Sequence, residues 1–279
     1  MQQTKIVTVD DLAALVPDGC DLAIVKDDTG TPTELVRALL RRGAKDLRLL
    51  TIPTGGYPAD ILIGAGCVAR VETSGISLGE FGGAPRFMDA VRHAKITIRD
   101  ATCPAVYAAL QAGEKGLPFI PIRGILGSDV AANRADWKII DNPLADGNAA
   151  DPVLILPAIN PDVVLLHVEK ADRFGNAWIG RTGEKAIAAH AARATLITAE
   201  EIVDEDLMAT EEIAAGCIAG MYVDAIAQAK QGCWPLGFAR MYPRDDTHMQ
   251  HYAKAARTDE GFAAYLQEHV FGEKARGVA

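Results

Sequence analysis

Apolar runs of strand length alternate along this chain with segments whose apolar residues recur at helical spacing, the pattern of a parallel sheet joined by crossover helices. A strand is predicted over residues 22–25. Thr31-Pro32-Thr33-Glu34 then opens a helix, with Thr31 as N-cap, proline at the first helical position and a capping-box glutamate. Leu35, Val36, Leu39 and Leu40 form the buried face of that helix, and Gly43 closes it. A second strand over 47–52 runs into Pro53-Thr54-Gly55-Gly56, where glycine lets the backbone approach a ligand closely. That loop lies at the carboxyl end of a strand, where open α/β sheets bind ligands.

The alternation continues with a helix over 59–65, a strand over 68–73 and a glycine-rich stretch over 74–85 that contains Ser74 and Gly75. A helix over 87–94, a strand over 96–99 and a helix over 104–112 follow. The strand predicted over 117–123 carries two prolines and reads as an edge. Residues 124–152 are poor in apolar positions and read as a long functional loop. Core strands are expected over 153–156 and 163–167, and Asp172-Arg173-Phe174-Gly175-Asn176 reads as a hairpin turn ahead of Trp178. A helix over 183–193 and a strand over 195–198 come next. From about residue 245 to 271, Met249, Tyr252, Ala255, Phe262, Tyr265, Leu266 and Val270 recur at helical spacing, so this tail should fold back onto the body. No repeat, low-complexity tract or composition break divides the chain. The expectation is one α/β unit over 1–279, an open, mostly parallel sheet with helices on both faces, ending in a helical tail.

Composition narrows the function classes. The 279 residues are 49% hydrophobic and 23% charged, which excludes disorder. Twenty-eight Lys and Arg against 37 Asp and Glu give a net charge of −9, so a nucleic-acid backbone would be repelled. An anionic ligand must instead be held by local devices such as helix N-termini, glycine loops or single arginines. Five scattered cysteines without a CxxC or a secretory leader read as reduced cytoplasmic thiols. The longest apolar runs fall far below the ~18 residues of a membrane helix.

Four motifs bear on chemistry. Gly64-Ala65-Gly66-Cys67-Val68-Ala69 fits the dinucleotide fingerprint, but the following residues are β-branched and no acid stands about 20 residues on, so nicotinamide binding is not expected. His248 and His251, with Asp245 and Asp246 ahead of them, are either a metal pair without a third ligand or a solvated helix N-terminus, and the second reading is preferred. Cys103, ahead of Pro104 at a helix start, is either an activated nucleophile or a small buried thiol, and again the second is preferred. Gly124-Ile125-Leu126-Gly127-Ser128-Asp129, directly after Arg123, either presents N–H groups and a guanidinium to a carboxylate or thioester oxygen or is a plain loop with a structural arginine.

Several stretches in order carry a resemblance. They are Leu117-Pro118-Phe119-Ile120-Pro121-Ile122-Arg123 with Leu126-Gly127-Ser128, then Ile140-Asp141-Asn142-Pro143 and Asp172-Arg173-Phe174-Gly175-Asn176. Glu200-Glu201-Ile202, Met221-Tyr222-Val223-Asp224-Ala225-Ile226 and the tail pattern over 262–271 complete the set. Read together, the chain resembles the A subunit of family I coenzyme A transferases, closest to the glutaconate CoA-transferase branch. The resemblance implies a NagB/RpiA/CoA transferase-like α/β fold, CoA as a substrate with no permanently bound cofactor and no metal, and a homologous B subunit, two of each. That B subunit carries the catalytic glutamate in a Ser-Glu-Asn-Gly-like motif. No Glu-Asn-Gly occurs here, so this chain is expected to own no nucleophile and to supply one wall of the site. The residues expected there are Gly55, Gly56, Ser74, Gly75, Arg86, Arg123, Gly127 and Ser128.

Two departures from the family pattern stand out. Val25-Lys26-Asp27 replaces a Gly-Gly-Phe element ahead of Gly30-Thr31-Pro32, and Gly232-Cys233-Trp234-Pro235 replaces a Gly-Ala-His-Pro-like turn. A related branch of the fold, a hydrolase that opens a CoA-thioester ring in steroid breakdown, is the alternative function. It uses an A-subunit glutamate where Cys103 stands here.

Overall fold

The computed structural model describes residues 5–147 and 150–272. Its strands are β1 (Lys5–Val7), β2 (Asp21–Val25), β3 (Leu47–Ile52), β4 (Val68–Thr73), β5 (Thr97–Asp100), β6 (Phe119–Ile122), β7 (Lys138–Asp141), β8 (Pro152–Pro157), β9 (Val163–Asp172), β10 (Ala177–Trp178), β11 (Ala194–Val203), β12 (Cys217–Ile218) and β13 (Ala225–Gln228). The helices are α1 (Val9–Ala14), α2 (Thr33–Arg42), α3 (Tyr57–Gly64), α4 (Pro85–Arg92), α5 (Cys103–Glu114), α6 (Asp129–Ala132), α7 (Gly183–Ala191), α8 (Glu211–Ala214), α9 (Asp246–Ala255) and α10 (Asp259–Leu266).

Eight strands pair in parallel in the order β1-β13-β11-β9-β2-β3-β4-β5, and the short β10 and β12 add antiparallel pairing beside β9. The α/β fold with a mostly parallel sheet is thus as expected. Parallel strands need a partner layer on each face, and successive side chains separate accordingly. Leu22 and Ile24 of β2 enter a core with α1, α2, α3, α9 and α10, whereas Ala23 and Val25 enter a core with α5 and α7. The hairpin at residues 172–176 turns β9 into β10, as predicted.

The tail packs on the body as expected. Tyr252 of α9 and Tyr265 of α10 are fully buried against Tyr57 of α3. Their hydroxyls are satisfied in place: Tyr252 donates to Asp60 at 2.7 Å, and Tyr57 and Tyr265 pair at 2.8 Å. Burying three tyrosines contributes both area and specificity, because each hydroxyl left without a partner would cost about 1–3 kcal/mol.

Three sequence expectations are corrected. Thr31 does not cap α2, whose flanking residue is Pro32 with no side-chain cap. The Thr31 hydroxyl is instead spent on the carbonyls of Val25 and Lys26, and the Thr33 hydroxyl donates to Cys233 O. Residues 124–152 are not one irregular loop, since α6 and β7 lie within them. Residues 153–156 do not join the main sheet. They are the middle of β8 in a separate antiparallel sheet, β6-β8-β7, where β6 is an edge as its prolines predict. Leu154 and Leu156 of that sheet pack with Trp137 and with Ala105 of α5. Among the described residues no helix is long and apolar enough to cross a membrane.

Candidate active site

The carboxyl ends of β2, β3 and β4 lie side by side, and the loops leaving them form the floor of a cavity of about 800 Å³. Lys26, Asp27 and Asp28 follow β2, Thr54 and Gly55 follow β3, and Gly75 to Gly79 follow β4. The opposite wall comes from far along the chain, from Leu236 to Ala239, Tyr242 to Arg244, and Met249 of α9. This is a position and size typical of ligand sites in open α/β folds.

The two glycine loops singled out in the sequence meet here. Gly55 N donates to Gly75 O at 2.9 Å, Ser77 N donates to Gly55 O at 3.0 Å, and Ser74 ties itself to Pro53 O through its N–H and its hydroxyl. Gly56 stands beside them. A Cβ there would overlap the Asp27 carboxylate, which accepts a hydrogen bond from Tyr57 N at 3.0 Å. Gly56 is therefore the residue that lets an acid from the β2 loop cap α3.

Asp27 is a site residue that sequence reasoning passed over, although its segment was noted as unusual. Burial pushes its carboxyl up to about 7, with Asp28 and Asp60 adding repulsion against the single opposing bond from Tyr57. The legible signal was an acid directly after a buried strand, facing a Gly-Gly loop. It gives the cavity a carboxyl that exchanges its proton near neutral pH. Two cations border the same space: Lys26, 3.5 Å from Asp28, and Arg244, paired with Glu80 and Asp246 and lying 4.6 Å over the Phe81 ring. Ile76, Leu78, Phe81 and Phe238 give the lining an apolar side. An elongated ligand with an apolar part and a charged end suits such a lining.

The far wall is held by a buried carboxylate that sequence reasoning did not single out as such. Glu200 accepts from His167 Nε2 at 2.8 Å, from the Tyr242 hydroxyl at 2.7 Å, from Gln231 N at 2.7 Å and from Gly232 N at 3.2 Å. Burial opposes the Glu200 charge, yet these bonds outweigh it and hold the carboxyl below its ordinary value. Burial likewise lowers His167. A neutral imidazole with its proton on Nε2 satisfies Glu200 and accepts from Thr198 at Nδ1, 2.8 Å away. Gly232 has to be glycine, because a Cβ would sit 2.6 Å from His167 Cε1. The altered Gly232-Cys233-Trp234-Pro235 turn, which leads into the cavity wall at Leu236, is therefore fixed against Glu200 and His167.

The remaining expected residues lie elsewhere. Arg86 of α4 is buried, ion-pairs with Asp259 at 2.5 Å and stacks 5.4 Å over Phe262, so it joins α4 to α10. Arg123 is exposed beyond β6 and binds both oxygens of Asp151. Ser128 caps α6 by accepting from Ala131 N, with Gly127 in the turn ahead of it. None of these four lines the cavity.

One motif reading stands and two change. Gly64 and Gly66 belong to the turn from α3 into β4, a helix-to-strand connection at the wrong end of a strand for a dinucleotide. Cys103 is exposed rather than buried, because it occupies the first turn of α5 with its Sγ 3.2 Å from the Ser74 hydroxyl. His248 is not solvated. Asp245 caps its N–H at 2.9 Å as the acids predicted, but the ring points inward to the Tyr265 hydroxyl at 2.6 Å.

Residues 6–229 match the coenzyme A transferase family. The A subunit of the 3-oxoadipate CoA-transferase of Pseudomonas knackmussii is 31% identical over 264 residues, covering 93% of this chain and 90% of that one. The cholesterol ring-cleaving hydrolase IpdA subunit of Rhodococcus jostii is 29% identical over 282 residues, 98% of this chain and 94% of its own. The crystal structure of glutaconate coenzyme A-transferase from Acidaminococcus fermentans superposes with a TM-score of 0.87 at 28% identity, over 96% of this chain and 89% of that chain. A protein of Archaeoglobus fulgidus is 31% identical over 245 residues, and there this chain spans only 52% of the relative's length. A parallel sheet with its cavity at the strand ends, matched along most of its length to these proteins, places the chain in the coenzyme A transferase family, in its A-subunit-like branch.

Proposed function

We propose that this chain is the A subunit of a heteromeric CoA-transferase, moving CoA from an acyl-CoA to a carboxylic acid together with a homologous B subunit, two of each, in the cytoplasm. The observation that carries this reading is the cavity at the carboxyl ends of β2, β3 and β4 in a family member without a Glu-Asn-Gly motif. The B-subunit glutamate attacks the thioester carbonyl, forming an acyl-glutamyl anhydride and expelling CoA thiolate. The thiolate attacks the glutamyl carbonyl, releasing the donor acid and leaving a glutamyl-CoA thioester. The acceptor carboxylate then attacks that thioester, and the thiolate returns to the acyl carbonyl of the new anhydride, freeing the glutamate. Thioester-level reactivity is kept throughout, so no ATP is consumed.

This chain's part is to bind and to exclude water. Gly55, Gly56, Ser74 and Gly75 hold the acyl portion against the apolar lining. Arg123, with Gly127 and Ser128, meets a substrate carboxylate where the small sheet faces the partner. Arg86 acts indirectly by fixing α4 to the C-terminal helices.

A ring-cleaving or thioester hydrolase is the second reading, favoured by the similarity to the Rhodococcus protein. Cys103 at the start of α5 stands against it. The test is product analysis on the chain mixed with its B subunit, with and without acceptor acid. Transfer to the acceptor only in the mixture is expected. Full activity of the chain alone, or thioester cleavage undiminished without an acceptor, overturns the proposal.

A further inference from the structure

Of the two histidines in α9, His251 has neighbours that the sequence around it does not show. The turn after α10, Gln267–Phe271, is wound with π-type hydrogen bonding, a rare geometry that is frequent at functional sites. It carries Glu268 and His269 to the side of α9 where His251 is exposed. Donor atoms of His251, Glu268 and His269 all lie within 4.8 Å of one another. The rings of His251 and His269 are 5.8 Å apart and inclined by 75°, edge to face rather than stacked.

A second observation is independent of that clustering. Among the described residues His269 Nε2, shielded from solvent, has no hydrogen-bond partner, and the Glu268 carboxylate at 3.7 Å is too distant to be one. A shielded imidazole nitrogen without a partner is uncommon, and a metal ion is one partner that would satisfy it. His248 is not a further ligand through Nε2, which is engaged with Tyr265, but its ring backs His269 at 4.7 Å and fixes its orientation.

We propose that His251, Glu268 and His269 form a binding site for a divalent transition metal of the zinc class, which staples α9 to the turn after α10. Two imidazoles and a carboxylate select a borderline metal over magnesium or calcium, and a fourth position stays open to water. Donor atoms around such an ion sit roughly 3.4 Å apart, given bonds of about 2.1 Å. Small rotations of the exposed His251 and Glu268 side chains close the difference. The staple bears on the cavity, since Met249 of the same helix lines it.

The test is calorimetric titration of the untagged, chelator-treated full chain with zinc chloride and, separately, magnesium chloride, alongside thermal melts. One equivalent of zinc should bind and raise the melting temperature by a few degrees, while magnesium does neither. His251→Ala, at an exposed position that leaves the fold intact, should weaken zinc binding by at least about tenfold and abolish the shift. His269→Gln or Glu268→Gln should do the same. Equal zinc affinity in wild type and His251→Ala, or no zinc binding by the folded wild type, overturns the proposal.

Discussion

At the level of single residues, the cavity floor depends on one backbone hydrogen standing where a methyl group does not fit. Gly56→Ala must push the Asp27 carboxylate away from Tyr57 N. We expect a loss of about 1–3 kcal/mol in denaturant unfolding, the scale of a broken, partly buried hydrogen bond. In the Gly56→Ala, Asp27→Ala double variant the clash is gone, so the two losses should fall short of additive; strict additivity would refute the contact as cause. Asp27 also predicts a pH dependence. Its carboxyl is raised in the folded chain to about 7, so the folded state binds a proton that the unfolded state releases near pH 4. Stability from this group is therefore complete below about pH 4 and lost as pH rises through about 7. Asp60, raised to about 6 by burial, loses stability in the same direction. Asp27→Asn should gain stability relative to wild type between about pH 5 and pH 8; a difference independent of pH would sink the assignment. Neither effect was legible in the sequence, because Asp27 and Gly56 are 29 positions apart and meet only once β2 and β3 pair.

Elements divide into those that local pattern determines and those that neighbours determine. The central strands β2, β3, β9 and β11 were legible because both their faces are buried and their apolar runs are continuous, whereas the short β1 and β13 were not singled out. β7 was not, since its residues are exposed, including Ile139 and Ile140, and no alternation marks it. The start of α2 was misplaced because the hydroxyls of Thr31 and Thr33 have nonlocal or neighbouring-loop acceptors that outcompete capping. The two arginines expected in the site make opposite predictions at this scale. Arg86→Ala removes a buried side chain that joins α4 to α10, and should cost about 2–4 kcal/mol in unfolding, leaving Asp259 solvated. Arg123→Ala removes an exposed pair with Asp151 and should cost under about 1 kcal/mol. Its effect on turnover in the assembled enzyme should be about 10- to 150-fold, the worth of a charge-assisted contact. Unchanged turnover would leave Arg123 a surface residue.

For the molecule as a whole, fold and family were legible because they rest on many weak signals spread over the chain. The cavity was legible only by half. Its floor follows from glycine loops at strand ends, whereas its far wall is brought in by Glu200, which gathers His167, Gly232 and Tyr242 from three separate segments. Such a convergence has no local signature. The match to the coenzyme A transferase family spans residues 6–229, and the far wall begins at Leu236, in a stretch over which the full-length relatives still align. The floor and the far wall of the cavity are thus different stretches of polypeptide, joined through Glu200 and through bonds such as that from the Thr33 hydroxyl to Cys233 O. Exchanging the residues beyond 229 would therefore reshape one wall of the cavity and leave the glycine loops of its floor in place.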